Sequence, residues 1–176
     1  MAALTADIHP IRYGTPGNAS QPVNQPLKAS TTAGSTVYRG SVAITRSGYM
    51  VAATTPTTTD IVWGIVDQAG PGTIDSSPGI TGGTADGSVT VDIATGSFWL
   101  QSGTGSDAIT QANVGATCYL MNETTVGLTS AGSRPAAGII LEVASLTTGF
   151  SGYVVPISSG MVAVKLGNAQ STGAPQ

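Results

Sequence analysis

Apolar side chains fall at every second position through much of this chain. Val42 and Ile44 alternate with Ser41, Ala43 and Thr45, and Ser47-Gly48 gives a turn signal before Tyr49 and Val51. Val89, Val91 and Ile93 alternate in the same way with Thr90, Asp92 and Ala94. After Thr95-Gly96 the chain returns as Phe98-Trp99-Leu100, which predicts a hairpin with Val91, Ile93, Phe98 and Leu100 facing inward. The run Ile61-Val62-Trp63-Gly64-Ile65-Val66 is apolar throughout, the pattern of a strand covered on both faces.

Further strands are predicted over 117–121, 137–143, 153–157 and 161–166. About eight short strands with Gly-rich turns imply a mainly β fold, a single antiparallel barrel or sandwich. At most one short helical turn is expected. It lies at Thr110-Gln111-Ala112-Asn113-Val114-Gly115, where Thr110 is placed to cap and Gly115 to terminate.

Residues 1–35 carry Pro10, Pro16, Pro22 and Pro26 among Asn, Gln, Ser and Thr, a composition that forbids regular helix and supplies little core. They are expected to form an extended N-terminal arm, followed by a β-rich domain over 36–166 and a polar C-terminal tail over 167–176. A segment of this composition becomes ordered only when something holds it, and a neighbouring chain is the expected holder. The arm's candidate partner-binding residues are therefore Ile8, His9, Ile11, Arg12, Tyr13, Pro22, Val23 and Leu27. Gly70 to Gly87 reads as a long connection without an apolar pattern, and Thr54 to Thr59 as a shorter one.

Composition narrows the chemistry. Charged residues make up 9% of the 176 positions, against roughly a quarter in an average soluble domain, and there is one His and one Cys. Aromatic content of 5% leaves Val, Ile, Leu and Ala to build the core. Nine acidic and six basic side chains, scattered along the chain, supply no basic stripe able to displace counterions from nucleic acid. No run of eighteen apolar residues suggests a membrane span, and the first residues lack the basic-then-apolar pattern of a secretory signal.

A catalytic triad needs a base, and the single imidazole, His9, lies in the Pro-rich arm with no G-x-S-x-G around any serine. One His and one Cys make a zinc site improbable. Asp60, Asp67, Asp75, Asp86 and Asp92 are too widely spaced for a calcium loop and read as solvated turn residues. Cys118, inside Thr117-Cys118-Tyr119-Leu120-Met121, reads as a packed core thiol. Val162-Ala163-Val164-Lys165 reads as a strand ending in a solvated lysine. Trp63, Trp99, Tyr38, Tyr119 and Tyr153 sit in strand-like runs and read as packing residues rather than a sugar-binding face. No cofactor and no catalytic residue is expected.

From Ser106 the chain reads SDAITQANVGATCYLMNETTVGLTSAGSRPAAGIILEV. Asp107-Ala108-Ile109-Thr110, Val114-Gly115, Cys118-Tyr119-Leu120, Thr125-Val126-Gly127 and Arg134-Pro135-Ala136-Ala137-Gly138-Ile139-Ile140 together resemble the capsid cement or head decoration proteins of tailed bacteriophages. Upstream, Tyr38-Arg39-Gly40-Ser41-Val42-Ala43, Ser47-Gly48-Tyr49 and Gly64-Ile65-Val66 resemble the same proteins, so the likeness covers roughly 36–157. Asn113 and Asn122 depart from the acidic residues expected at those turns in relatives. The resemblance implies a structural virion protein on the capsid exterior, assembled in the bacterial cytoplasm, with the major capsid protein as partner. It also implies a homo-oligomer, a trimer by analogy with a dimer as the alternative, and it brings no catalytic residue. The rival reading is a sugar-binding or adhesive β module of a phage fibre or tail.

Overall fold

A computed structural model of the chain describes residues 11–12, 23–26, 36–66, 79–144 and 160–167. The arm contributes β1 (Ile11–Arg12) and β2 (Val23–Pro26). Then follow β3 (Thr36–Val37), β4 (Val42–Arg46), β5 (Tyr49–Ala52), β6 (Ile61–Val66), β7 (Ile80–Thr81) and β8 (Thr90–Ala94). The second half supplies β9 (Gly96–Ser102), β10 (Thr117–Leu120), β11 (Thr125–Gly127), β12 (Ala136–Val143) and β13 (Met161–Leu166).

Five of these strands, in the order β9-β11-β10-β12-β13, close on themselves through the β13–β9 pairing and make a barrel. Phe98, Leu100, Cys118, Leu120, Val126, Ala137, Ile140, Val162 and Val164 fill it, all of them buried. The second sheet has the order β2-β8-β6-β4-β5 and is antiparallel throughout. One of its faces adds Val42, Ile44, Val51, Val62 and Ile65 to the barrel's apolar cluster, so the two sheets share a core. Its other face buries Ala43, Met50, Ala52, Val66, Val91 and Ile93, with Val37 of β3 and the partly buried Trp63, Ile80 and Val89 packed against them.

Local chemistry explains the elements. The β4–β5 hairpin turns through Ser47 and Gly48 at φ of 53° and 84°, with Arg46 paired to Tyr49; positive φ at both positions is the two-residue turn whose twist matches the strands it joins. Strand β6 is covered on both faces as its apolar run requires: Val62 and Ile65 join the shared core while Trp63 and Val66 serve the other cluster. That odd spacing comes from a bulge, since Ala43 pairs with Gly64 but Ile44 with Val62, leaving Trp63 as the extra residue. At Gly138 a Cβ would run into the Lys165 carbonyl of the neighbouring strand, so only glycine lets β12 and β13 approach there.

Several expectations need correction. β8 and β9 do not form a hairpin: β8 pairs with β2 and β6, whereas β9 pairs with β13, β1 and β11. Val91 and Ile93 therefore lie in one apolar cluster and Phe98 and Leu100 in the other, although all four are buried. The expected connection from Gly70 to Gly87 contains β7, which pairs with β3. The helical turn expected at 110–115 is the 3-10 turn Gln111–Asn113 with Thr110 as its N-cap, but a second such turn, Gly105–Asp107, was not expected. The β11–β9 pairing is parallel, an exception to the antiparallel rule among the described strands. The expected strand over 153–157 lies outside the described residues.

Candidate functional site

The arm is where a partner contact was expected, and its described pieces lie along the edges of the chain's own sheets. Ile11 pairs with Trp99 and Arg12 with Phe98, so β1 runs antiparallel to β9. On that side of β9, β11 takes Gln101 and Ser102, and β1 continues the coverage to Trp99 and Phe98. Val23 pairs with Ile93, Asn24 with Asp92, Gln25 with Val91 and Pro26 with Thr90, making β2 the edge strand beside β8. Proline cannot donate to a ladder, and an edge strand is where a sheet tolerates it. Ile8, His9, Tyr13, Pro22 and Leu27 lie outside the described residues.

Asp107, Thr129 and Arg134, from the stretch 106 to 143, meet in the loops of the barrel. Asp107 Oδ1 accepts from the Thr129 hydroxyl at 2.6 Å, the Thr129 amide at 3.3 Å and Arg134 Nη1 at 2.8 Å. The Thr129 hydroxyl and the Arg134 guanidinium hold the Asp107 carboxyl below its ordinary value. Arg134 also donates to the Thr129 carbonyl at 3.1 Å, so Thr129 and Arg134 are fastened to each other as well as to the Asp107 carboxylate. Gly127 makes room for this knot: a Cβ there would stand 2.9 Å from Asp107 Oδ1 and 2.8 Å from Met121 Sδ.

Asn113 and Asn122 serve as acceptors. Asn113 Oδ1 takes hydrogen bonds from the Thr110 amide and hydroxyl, each at 2.8 Å, which folds the second 3-10 turn back on its own start. Asn122 Oδ1 accepts from the amides of Thr124 and Thr125, each at 3.0 Å. An acceptor oxygen is all these turns require, and an amide supplies it without a charge.

Two side chains reverse or sharpen their expected roles. Asp60 is not a solvated turn residue: its side chain is 0% exposed and it takes Arg46 Nε at 2.8 Å and Nη2 at 2.7 Å. The Thr57 amide adds a third hydrogen bond at 2.7 Å. Burial pushes the Asp60 carboxyl up, but Arg46 and Thr57 together hold it below its ordinary value. Arg46 also donates to the Thr55 carbonyl at 3.1 Å, so the exposed threonine loop of 54–59 is braced at its base. Cys118 lies in the barrel interior with its thiol 3.6 Å from the Gly138 carbonyl, and burial pushes that thiol up to about 12.

Both tryptophans are engaged in packing. Trp63 is partly buried and donates its indole N–H to the Thr45 hydroxyl at 2.9 Å, and Trp99 is buried against Met161 and Ala163. Lys165 is exposed near the end of β13, as its strand pattern indicated. Among the described residues no three His, Cys, Asp or Glu side chains gather as a metal site would need, and no helix is long and apolar enough to cross a membrane.

Compared with protein-family models, curated proteins and solved structures, the chain has no match in any of the three.

Sequence reasoning missed the Arg46–Asp60 clamp. The signal for it was an acidic residue ending a polar loop opposite the only charged residue of the preceding hairpin. It also missed that the arm adds to sheets of its own chain; the alternation of Val23 and Gln25 over four residues is too short to be read as a strand.

Proposed function

We propose that this chain is a structural virion protein that binds the outer surface of a tailed-phage capsid and stabilises contacts between capsomers. The observation that carries this reading is the use made of the polar residues in the stretch that resembles the cement proteins. Asp107, Asn113, Asn122, Thr129 and Arg134 spend their hydrogen bonds on the loops of a barrel. The resembling motif thus specifies a scaffold and its surface, the part of a protein that a cement role requires.

The physical chemistry of the surface agrees with that role. Low charge density lowers the desolvation cost of burying it against another protein. Many copies bound to a repeating shell multiply modest contacts, because each is held near the next by the lattice. The threonine loop of 54–59 offers exposed hydroxyls on a base fixed by Arg46 and Asp60. The major capsid protein is the partner in this reading, and the chain acts as a homo-oligomer without a cofactor or a reaction of its own.

Imaging of particles that lack this protein, before and after the purified chain is added, tests the reading. Regularly placed density on the outer surface after addition is the expected result. Bare particles after addition, with the chain instead retained on immobilised host glycans, would favour the adhesive module.

A further inference from the structure

The two arm strands are held in the same way, each by ladder pairs to a neighbouring strand. Each is a short piece joined to one edge of a sheet by ladder pairs: Ile11–Arg12 on β9 and Val23–Pro26 on β8. Ladder hydrogen bonds join main chain to main chain, so the seats along β8 and β9 accept the same strand from whichever chain delivers it. Nine residues, Leu27 to Ser35, connect the arm to β3. At about 3.3 Å per residue they reach at most roughly 30 Å, about three-quarters of the roughly 40 Å diameter of a sphere whose radius of gyration is about 16 Å. They contain no proline and are mostly small and polar.

We propose that the arm is a donor strand exchanged between copies, with β1 and β2 of one chain completing the β9 and β8 edges of its neighbour in the homo-oligomer. Exchange keeps every ladder pair, so the exchanged and self-paired forms differ only in the path of the connection and the cost of bringing chains together. High local concentration removes most of that second cost and favours the exchanged form. The partner is a second copy of this chain, and the contact residues are Val23, Asn24, Gln25 and Pro26 against Ile93, Asp92, Val91 and Thr90. This inference rests on the strand pairing and on the homo-oligomer of the proposed function, not on capsid binding; cross-linking is read without capsids, so the two can fail separately.

Cysteine cross-linking of the full chain tests it. In a Cys118→Ser background, Asn24→Cys is placed in one chain and Asp92→Cys in another, and the two are co-expressed and treated with oxidant or a short bis-maleimide. Directly opposed residues of an antiparallel pair have Cβ atoms about 5 Å apart, within reach of either treatment. Exchange gives covalent mixed dimers whose linked peptide contains positions 24 and 92, absent when either variant is expressed alone. The double variant Asn24→Cys/Asp92→Cys then gives covalent oligomers. An internally linked monomer from the double variant with no mixed dimer from the co-expressed pair would overturn the proposal. Absence of any link in either experiment would overturn it as well, because the β2–β8 register would then be missing. Should Asp92→Cys fail to fold, Pro26→Cys with Thr90→Cys supplies an independent opposed pair.

Discussion

Arg46 grips Asp60 with two parallel hydrogen bonds, Nε at 2.8 Å and Nη2 at 2.7 Å, across the base of the threonine loop. The carboxylate is fully covered while the guanidinium remains 41% exposed, so Arg46 is the only side of the pair that water still reaches. A fork-to-fork pair of this kind combines charge with fixed geometry. Asp60→Asn should therefore lower unfolding stability by about 2 kcal/mol, the range for hydrogen bonds to charged groups. Arg46→Lys, which keeps the charge and loses the fork, should cost less than Asp60→Asn. Urea denaturation of the three proteins checks the order.

Acid should unfold the protein partly through two carboxylates. Asp60 and Asp107 both lie below the ordinary value of 3.8 in the folded chain. A depressed folded value means that the unfolded chain binds protons first as pH falls, so the stability these groups contribute is present above the unfolded value and lost below it. The melting temperature should hold from pH 7 to about 5 and then fall through the range below 4. Asp60→Asn should show a shallower fall, since one of the two groups no longer titrates. An identical acid slope in the variant would show that Asp60 is not responsible.

Phe98 is 1% exposed and stands at the centre of the barrel wall, opposite Val164 on one side and Arg12 on the other. Phe98→Ala should cost about 3 to 5 kcal/mol through lost burial and the cavity left behind. Because Val91 lies in the other apolar cluster, Phe98→Ala and Val91→Ala should be close to additive in a double-mutant cycle. Had β8 and β9 formed a hairpin with one shared face, the two changes would interact. Chemical denaturation of the single and double variants distinguishes these cases.

Cys118 should be silent in the native state. Its thiol is buried in the barrel and pushed up to about 12, so almost no thiolate forms at pH 8. A thiol reagent should label it only at the rate of unfolding, and denaturant should make labelling immediate. Rapid labelling of the folded protein would mean that the barrel opens locally around β10.

The strands with two or more full alternations were legible in the sequence, as Val42 and Ile44 or Val89, Val91 and Ile93 illustrate. Burial on one face forces that period, and a run such as Ile61 to Val66 needs two buried faces. Which strand pairs with which was not legible. Thr95-Gly96 carries an ordinary turn signal, yet Gly96 at φ of 130° passes the chain from one sheet to the other, and the partner of β9 arrives some sixty residues later in β13. A two-residue strand such as Thr36–Val37 has no period to detect. Asp60 was misread because its partner, Arg46, lies fourteen positions away and a local motif does not reveal it. Of the arm residues singled out as contacts, Ile11, Arg12 and Val23 are on sheet edges of the same chain, a placement set by long-range pairing.

The central claim is that this chain strengthens a phage head by binding alone. The most direct measurement is the temperature at which particles lacking the protein release their DNA, followed by a dye, with and without the purified chain added back. Addition should raise the release temperature to that of native particles, in chelator as well as in buffer. Particles that bind the chain yet release DNA at the unprotected temperature, or that need a metal ion for protection, would contradict the claim.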